Sequence, residues 1–377
     1  MPVARELAPA GLRSSPMLWS RFAIQRNQAP SPQVAPGAGV QNRIPTRFAV
    51  AIAPDAESQT RVVFLPNGHG AGAKKGIDSM FEYRLGCISS GFPQGLNWEQ
   101  GNKPFTAEHY TVMRDKTLVL WDFYAAHMAW KVLLKNYDNF VEFMVSQEKP
   151  MIVSHQIYLV SAELAEVKIE SLRLLMNFLA SASAFLSLSE VEMRRVFPGE
   201  IFNAWDARRK ALHLNSVSYR VGYEFRNYAQ HYGFPMSEFG AHMSSTTFFK
   251  VDMVVHVKDL LSKGFNWNKK VVADLQDVPS GVVQLEVMVH EYFDCLKAIH
   301  RNSIDVYTAG LNDCAGYLNR LLGAYQHPVG HFPVVFISSR SNVSVEPTME
   351  HVPLHLIKEI SVDLSSQFGL EISSVNF

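Results

Sequence analysis

Arg226 and Asn227 stand side by side, and His231 follows four residues after the asparagine. Each residue type can do something to a phosphodiester. A guanidinium grips a phosphate through two parallel hydrogen bonds and stabilises charge building on it. An imidazole titrates near neutrality and serves as general acid or base. An asparagine one helical turn before the histidine can orient the ring or bond a ribose hydroxyl. Together they suit metal-free cleavage of RNA, in which the 2′-hydroxyl attacks its own neighbouring phosphate. The bland alternative is a polar surface helix whose histidine sits near the C-terminal end, where the helix dipole favours a cation.

The element that carries these residues must be a helix. Val217, Val221, Phe225, Tyr228 and Tyr232 recur at helical spacing and form an apolar stripe. A second stripe holds Arg220, Glu224, Asn227 and His231. At about 100° per residue, Arg226 lies about 100° from Asn227 and about 140° from His231. Gly233 and Pro235 stop the helix, the first by entering a left-handed conformation and the second by its ring. Upstream, Arg208, Arg209 and Lys210 are the nearest basic cluster and the candidate substrate-binding patch; an ordinary surface charge run reads the same way. Residues 155–188 give the longest helical pattern. One of its faces is apolar, and a row of acids, Glu163, Glu166 and Glu170, lies on another.

The motif, with the wider phrase Tyr223-Glu-Phe-Arg-Asn-Tyr-Ala-Gln-His-Tyr-Gly-Phe-Pro235, resembles the signature of the HEPN superfamily of helical, RNase-like domains, and looks like a phrase of bacterial HEPN-like proteins. The resemblance covers residues 150–240, with a weaker similarity to about 302. It implies a mainly α fold, a HEPN-like helical bundle with a smaller α+β part contributed by N-terminal and post-motif strands. It implies that the 155–188 helix runs antiparallel to the motif helix and offers an acid to Arg226, with Glu170 as the candidate. It also implies a homodimer in which two motif helices face each other and form one composite site. There His231 is the acid or base, Arg226 stabilises the pentacoordinate phosphate and Asn227 positions one of them. The expected activity is that of a metal-independent endoribonuclease without cofactor, acting on RNA in a bacterial toxin or anti-phage defence system, with a protein partner or antitoxin. The alternative is a non-catalytic HEPN-like binding or assembly module that holds a nucleotide or a protein.

Composition bounds these expectations. The chain has 377 residues, 47 % hydrophobic and 19 % charged, which is enough for a large core. Lys+Arg and Asp+Glu both number 35, so no global basic field holds nucleic acid, and RNA would need a local patch. Cys87, Cys295 and Cys314 have no paired spacing, so neither a disulfide framework nor a thiolate metal site is read, and a reduced, cytoplasmic setting is expected. No run of apolar residues is long enough for a membrane span, and no membrane is expected.

Four regions follow. Residues 1–45, rich in Pro, Ala and Gly, read as a disordered or extended arm. Residues 46–120 read as strand-containing, with strands at 47–53, 60–65 and 117–121. Their glycine-rich loop at 67–76 fails the phosphate-loop pattern at Ala73 and Lys75, and a second glycine-punctuated loop runs from Gly86 to Gly101. Residues 121–302 read as the helical HEPN-like domain. It begins with a helix over 122–148 and ends with one over 282–301, and a strand at 246–257 pairs with the N-terminal strands. Residues 303–377 read as a C-terminal α+β region, with a helix over 307–325, a strand at 332–337 and a last helix over 352–368. Each of the pairs His327/His331 and His351/His355 has a proline inside it, so neither lies in a regular helix, and no metal site is read.

Overall fold

The computed structural model describes residues 47–54, 60–67, 81–90, 96–147, 149–150, 157–245, 248–328, 330–340 and 348–372. The expected arm at 1–45 and most of the glycine-rich loop, residues 68–76, lie outside the described residues. The described part is mainly helical and is built on three long helices: α1 (Ala107–Ser146), α2 (Ile157–Val196) and α7 (Leu285–Tyr325). Thr106 caps α1 by accepting from the His109 amide at 3.1 Å.

Paired contacts fix the directions of these helices. From α1 to α2, Tyr137 meets Phe178, Trp130 meets Phe185 and Asp122 meets Arg195. From α1 to α7, Tyr137 meets His290, His127 meets His300 and Lys116 meets Asp313. Numbers rise on one helix as they fall on the other, so α2 and α7 both run antiparallel to α1. Phe123, Leu133, Phe178, Phe185, Leu296 and Leu311 are among the residues that fill the space between them. By length and composition Leu164–Val196 of α2 could cross a membrane. Its apolar residues Leu175, Phe178, Leu179 and Phe185 are instead covered by the chain's own helices.

Shorter helices dress this frame. They are α3 (Glu200–Asn215), α4 (Val217–His231), α5 (Val257–Ser262), α6 (Lys269–Gln276) and α8 (Leu354–Phe368). Two antiparallel sheets complete it. The first joins β1 (Arg47–Pro54), β2 (Thr60–Asn67), β3 (Phe81–Ser90) and β4 (Leu96–Phe105) to β9 (Phe332–Ser339) and β10 (Thr348–His351), in the order β2-β1-β10-β9-β3-β4. The second has β7 (Phe248–His256) at its centre, paired with β5 (Lys149–Pro150), β6 (Glu238–Ser245) and β8 (Val282–Gln284).

Several expectations change here. The 117–121 segment is helix, not strand: Leu120 is buried, and the Thr117 hydroxyl bonds the Met113 carbonyl at 2.9 Å, one turn back. The expected boundaries at 120/121 and 302/303 fall inside α1 and α7, so they divide nothing. The expected helices at 282–301 and 307–325 are one. Asn302 to Asp305 are indifferent helix formers, but Ile304 is buried and Ser303 accepts the Trp205 indole N–H, so packing carries the helix through. Strand β7 pairs within the second sheet and not with the N-terminal strands. The Gly86–Gly101 stretch is largely the β3–β4 hairpin. A Cβ on Gly86 would stand 2.2 Å from the Glu99 carbonyl oxygen and one on Gly101 2.4 Å from that of Leu85, so these glycines let two strands approach at a register shift.

Candidate functional site

Helix α4 starts where Ser216 accepts the Tyr219 amide at 3.0 Å, and its end is marked by Gly233 at φ +129°. Its apolar stripe faces inward through Val221, Phe225 and Tyr228. Gly222 lies against α7, since a Cβ there would meet the Tyr292 ring at 2.4 Å. Arg220, expected on the polar stripe, is buried at 3 % exposure. Its guanidinium donates to Asp274 of α6 at 2.5 Å and to the carbonyls of His213 and Leu214 at 2.6 Å each. It therefore satisfies carbonyls at the end of α3 and ties α3, α4 and α6 together.

The three motif residues sit as follows. Arg226 is half-buried, and its Nη1 donates to Oδ1 of the adjacent Asn227 at 3.2 Å. Its Nε finds no partner among the described residues. Asn227 is half-buried and His231 is exposed at the last position of the helix. Glu170 does not take the role expected of it: it is spent on its own helix, with both oxygens on Arg173 at 2.5 and 2.6 Å. An acid and an arginine three residues apart on one helix meet without help, and this local pair takes the carboxylate. Within one chain Arg226 and His231 remain about 140° apart round the helix and do not converge.

The basic cluster is largely neutralised. Arg209 lies on Asp206 at 2.6 Å and Glu190 at 3.3 Å, and Lys210 lies on Asp206 at 2.7 Å. Arg208 reaches Asn302 at 3.4 Å. Burial alone would raise the Asp206 carboxyl; Lys210 and Arg209 outweigh it and hold the group below its usual range. The cluster also stands at the wrong end of the motif helix. Arg209 acts on Tyr219, and from there to His231 α4 rises about 18 Å.

Several residues that flank His231 in the chain carry aromatic rings. Tyr228 stacks on Trp267 at 5.2 Å, and Tyr232 lies edge-on to Phe265 at 5.0 Å. Tyr232 and Phe234 are 44 % and 57 % exposed, large values for such side chains. Beside them opens a cavity of about 250 Å³ lined by Tyr228, Phe234, Met236, Asp259 and Lys263 among others. Compared with family models, curated proteins and solved structures, the chain matches none. The site is therefore read from its own chemistry. Glu224, half-buried and two turns before His231 on the same stripe, has its carboxyl pushed up by burial.

A second polar cluster was not foreseen from sequence. His127 of α1 and His300 of α7 are wholly buried, with Nδ1 of the first 3.3 Å from Nε2 of the second. His127 Nε2 lies 3.0 Å from Asp363 of α8, which also takes Lys131 at 2.9 Å. The signal in sequence is faint: His300 falls on the apolar stripe of Phe293, Leu296 and Ile304, and no motif links residues 173 positions apart. Among the described residues no group of three or more His, Cys, Asp or Glu is arranged to hold a metal.

Proposed function

We propose that the C-terminal end of α4 is the catalytic half-site of a metal-independent endoribonuclease with HEPN-like chemistry. The observation that carries this reading is His231. It stands exposed on the last turn of a firmly anchored helix, one turn after the linked Arg226–Asn227 pair, with the exposed rings of Tyr232 and Phe234 beside it. Such rings stack on unpaired bases without regard to sequence. His231 exchanges a proton with the 2′-hydroxyl or the leaving oxygen, and Arg226 stabilises the charge on phosphorus. Because the two side chains diverge within one chain, a second copy supplies the complementary half. Tyr223, Asn227 and Gln230, at i, i+4 and i+7, are the stripe that α4 offers it, and Tyr223 is 45 % exposed. The chain then works in the cytoplasm as a homodimer, in a bacterial toxin or defence system with a protein partner or antitoxin.

The test is RNA cleavage in EDTA by the wild type and by His231→Ala. Products ending in a 2′,3′-cyclic phosphate, lost in the variant, are expected. Cleavage that survives the substitution removes α4 from the mechanism. A second reading, a non-catalytic module that binds a nucleotide or protein, is favoured by the compensation of Arg209 and Lys210 by Asp206 and Glu190. It predicts binding without cleavage by the wild type.

A further inference from the structure

The cluster of His127, His300 and Asp363 has a determined proton order. A carboxylate only accepts, so His127 Nε2 carries the proton that goes to Asp363. His127 Nδ1 is then an acceptor, and His300 Nε2 must donate to it. That leaves a lone pair on His300 Nδ1, which is buried and has no partner among the described residues. Around the pair are the rings of Phe123, Trp130, Phe185 and Phe368.

A further proton is costly while this packing holds. On His127 Nδ1 it would push the His300 proton across to Nδ1, where it finds no acceptor among the described residues. On His300 Nδ1 it would charge a ring in an apolar setting, again with no acceptor among those residues. Burial lowers the affinity of both imidazoles for a proton. Asp363 pulls His127 the other way without overcoming burial, and His127 adds to the effect of burial on His300. Outside the pair, Lys131 of α1 binds Glu359 at 2.7 Å as well as Asp363 at 2.9 Å. Asp363 itself remains ionised, since Lys131 and His127 hold its carboxyl low against the effect of burial. From α7, Tyr307 packs on the Phe123 ring, and from α2 only Phe185 reaches His300 among the ring contacts described.

These contacts are also what fastens α8. Asp363 meets His127 and Lys131, Glu359 meets Lys131, and Gln367 accepts the Trp130 indole N–H at 2.8 Å. We propose that the buried His127–His300 pair is a pH-sensitive latch that holds the C-terminal helix α8 on α1 and α7, and that proton uptake by the pair releases it. The sign follows from the neutral docked state. The open state binds protons below the ordinary imidazole range, near 6.5, and the docked state does not, so docking is complete above that pH and weakens as pH falls below it. Release would bare the groove that Ile357, Ile360 and Leu364 of α8 now help to fill.

Hydrogen exchange by mass spectrometry on the whole chain reads this directly. Corrected for intrinsic rates, amides of α8 should open at least about tenfold more between pH 6.5 and 5.0 relative to those of α2, the gain for one imidazole protonated only in the open state. His355, in the first turn of α8, is exposed, yet desolvation lowers its proton affinity too, so the wild type alone does not single out the pair. His300→Phe does: it keeps a ring and cannot take a proton, and it should cut the α8 response by about tenfold, the share of one imidazole. An α8 response no larger than that of α2, or one undiminished in His300→Phe, overturns the proposal. Should the variant misfold, histidine C2–H exchange in the wild type decides. Both His127 and His300 must titrate below about 6.5, and either one titrating at or above that value overturns the latch.

Discussion

Asp274→Ala tests how the motif helix is held. The substitution leaves the Arg220 guanidinium charged and 3 % exposed, bonded to the carbonyls of His213 and Leu214 but without its counter-charge. Removing one partner of a buried ion pair costs about 3–5 kcal/mol. Here the lower end applies, about 3 kcal/mol, because two acceptors remain and Asp274 keeps some solvent contact. For a unit of this size that is a fall in Tm of about 4 °C. Urea unfolding followed by tryptophan fluorescence is the assay. Trp267, packed on Tyr228 of α4, reports from the region in question, and an unchanged m-value would show that stability alone has moved. The double variant Arg220→Met/Asp274→Leu should cost less than Asp274→Ala, about 1–2 kcal/mol, because no charge is left buried and only the two carbonyls lose a donor. A loss under about 1 kcal/mol in Asp274→Ala, or a double variant at the sum of two large single losses, would refute this account of α4 anchoring.

Two further outcomes are expected. Gly222→Ala should destabilise by about 1–3 kcal/mol in the same assay, despite alanine's better helix propensity, because its Cβ would come 2.4 Å from the Tyr292 ring. Cys314 should resist iodoacetamide at pH 8 in the native protein and react after unfolding, since burial pushes its thiol up to about 12, with Asp313 adding to the rise. Native labelling comparable to that of the unfolded chain would contradict its placement in the core.

The motif helix was legible because its information is local. A stripe at i, i+4 and i+8 and a glycine stop lie within twenty residues, and they mark α4 closely; its serine cap is added by the structure. The two residues that decide how it is anchored and what it faces were not legible. Arg220 looked like a surface cation, and its burial depends on Asp274, a helix and two strands later. Glu170 looked available to Arg226, and an arginine three residues along its own helix claims it. The strand expected at 117–121 came from a run of β-branched and apolar residues, of which α1 buries Thr117 and Leu120 and leaves Trp121 exposed, so packing overrides propensity. His127 and His300 gave no motif signal, and His300 only the faint one of its place on an apolar stripe, because the cluster arises only when three helices meet.

The 41 residues of α7 form a rod of roughly 60 Å. One end grows directly out of β8 in the second sheet, and the other leads through a short turn to β9 in the first. The rod thus sets the spacing of the two sheets and the angular phase between its ends. A residue inserted near its middle would turn one half by about 100° against the other and slide it by about 1.5 Å. Whichever of His300 and Tyr307 lay in the turned half would then point away from its partner, with no loop to absorb the change. Length variation among related chains should therefore fall in the connections and spare this helix, even where its individual side chains differ.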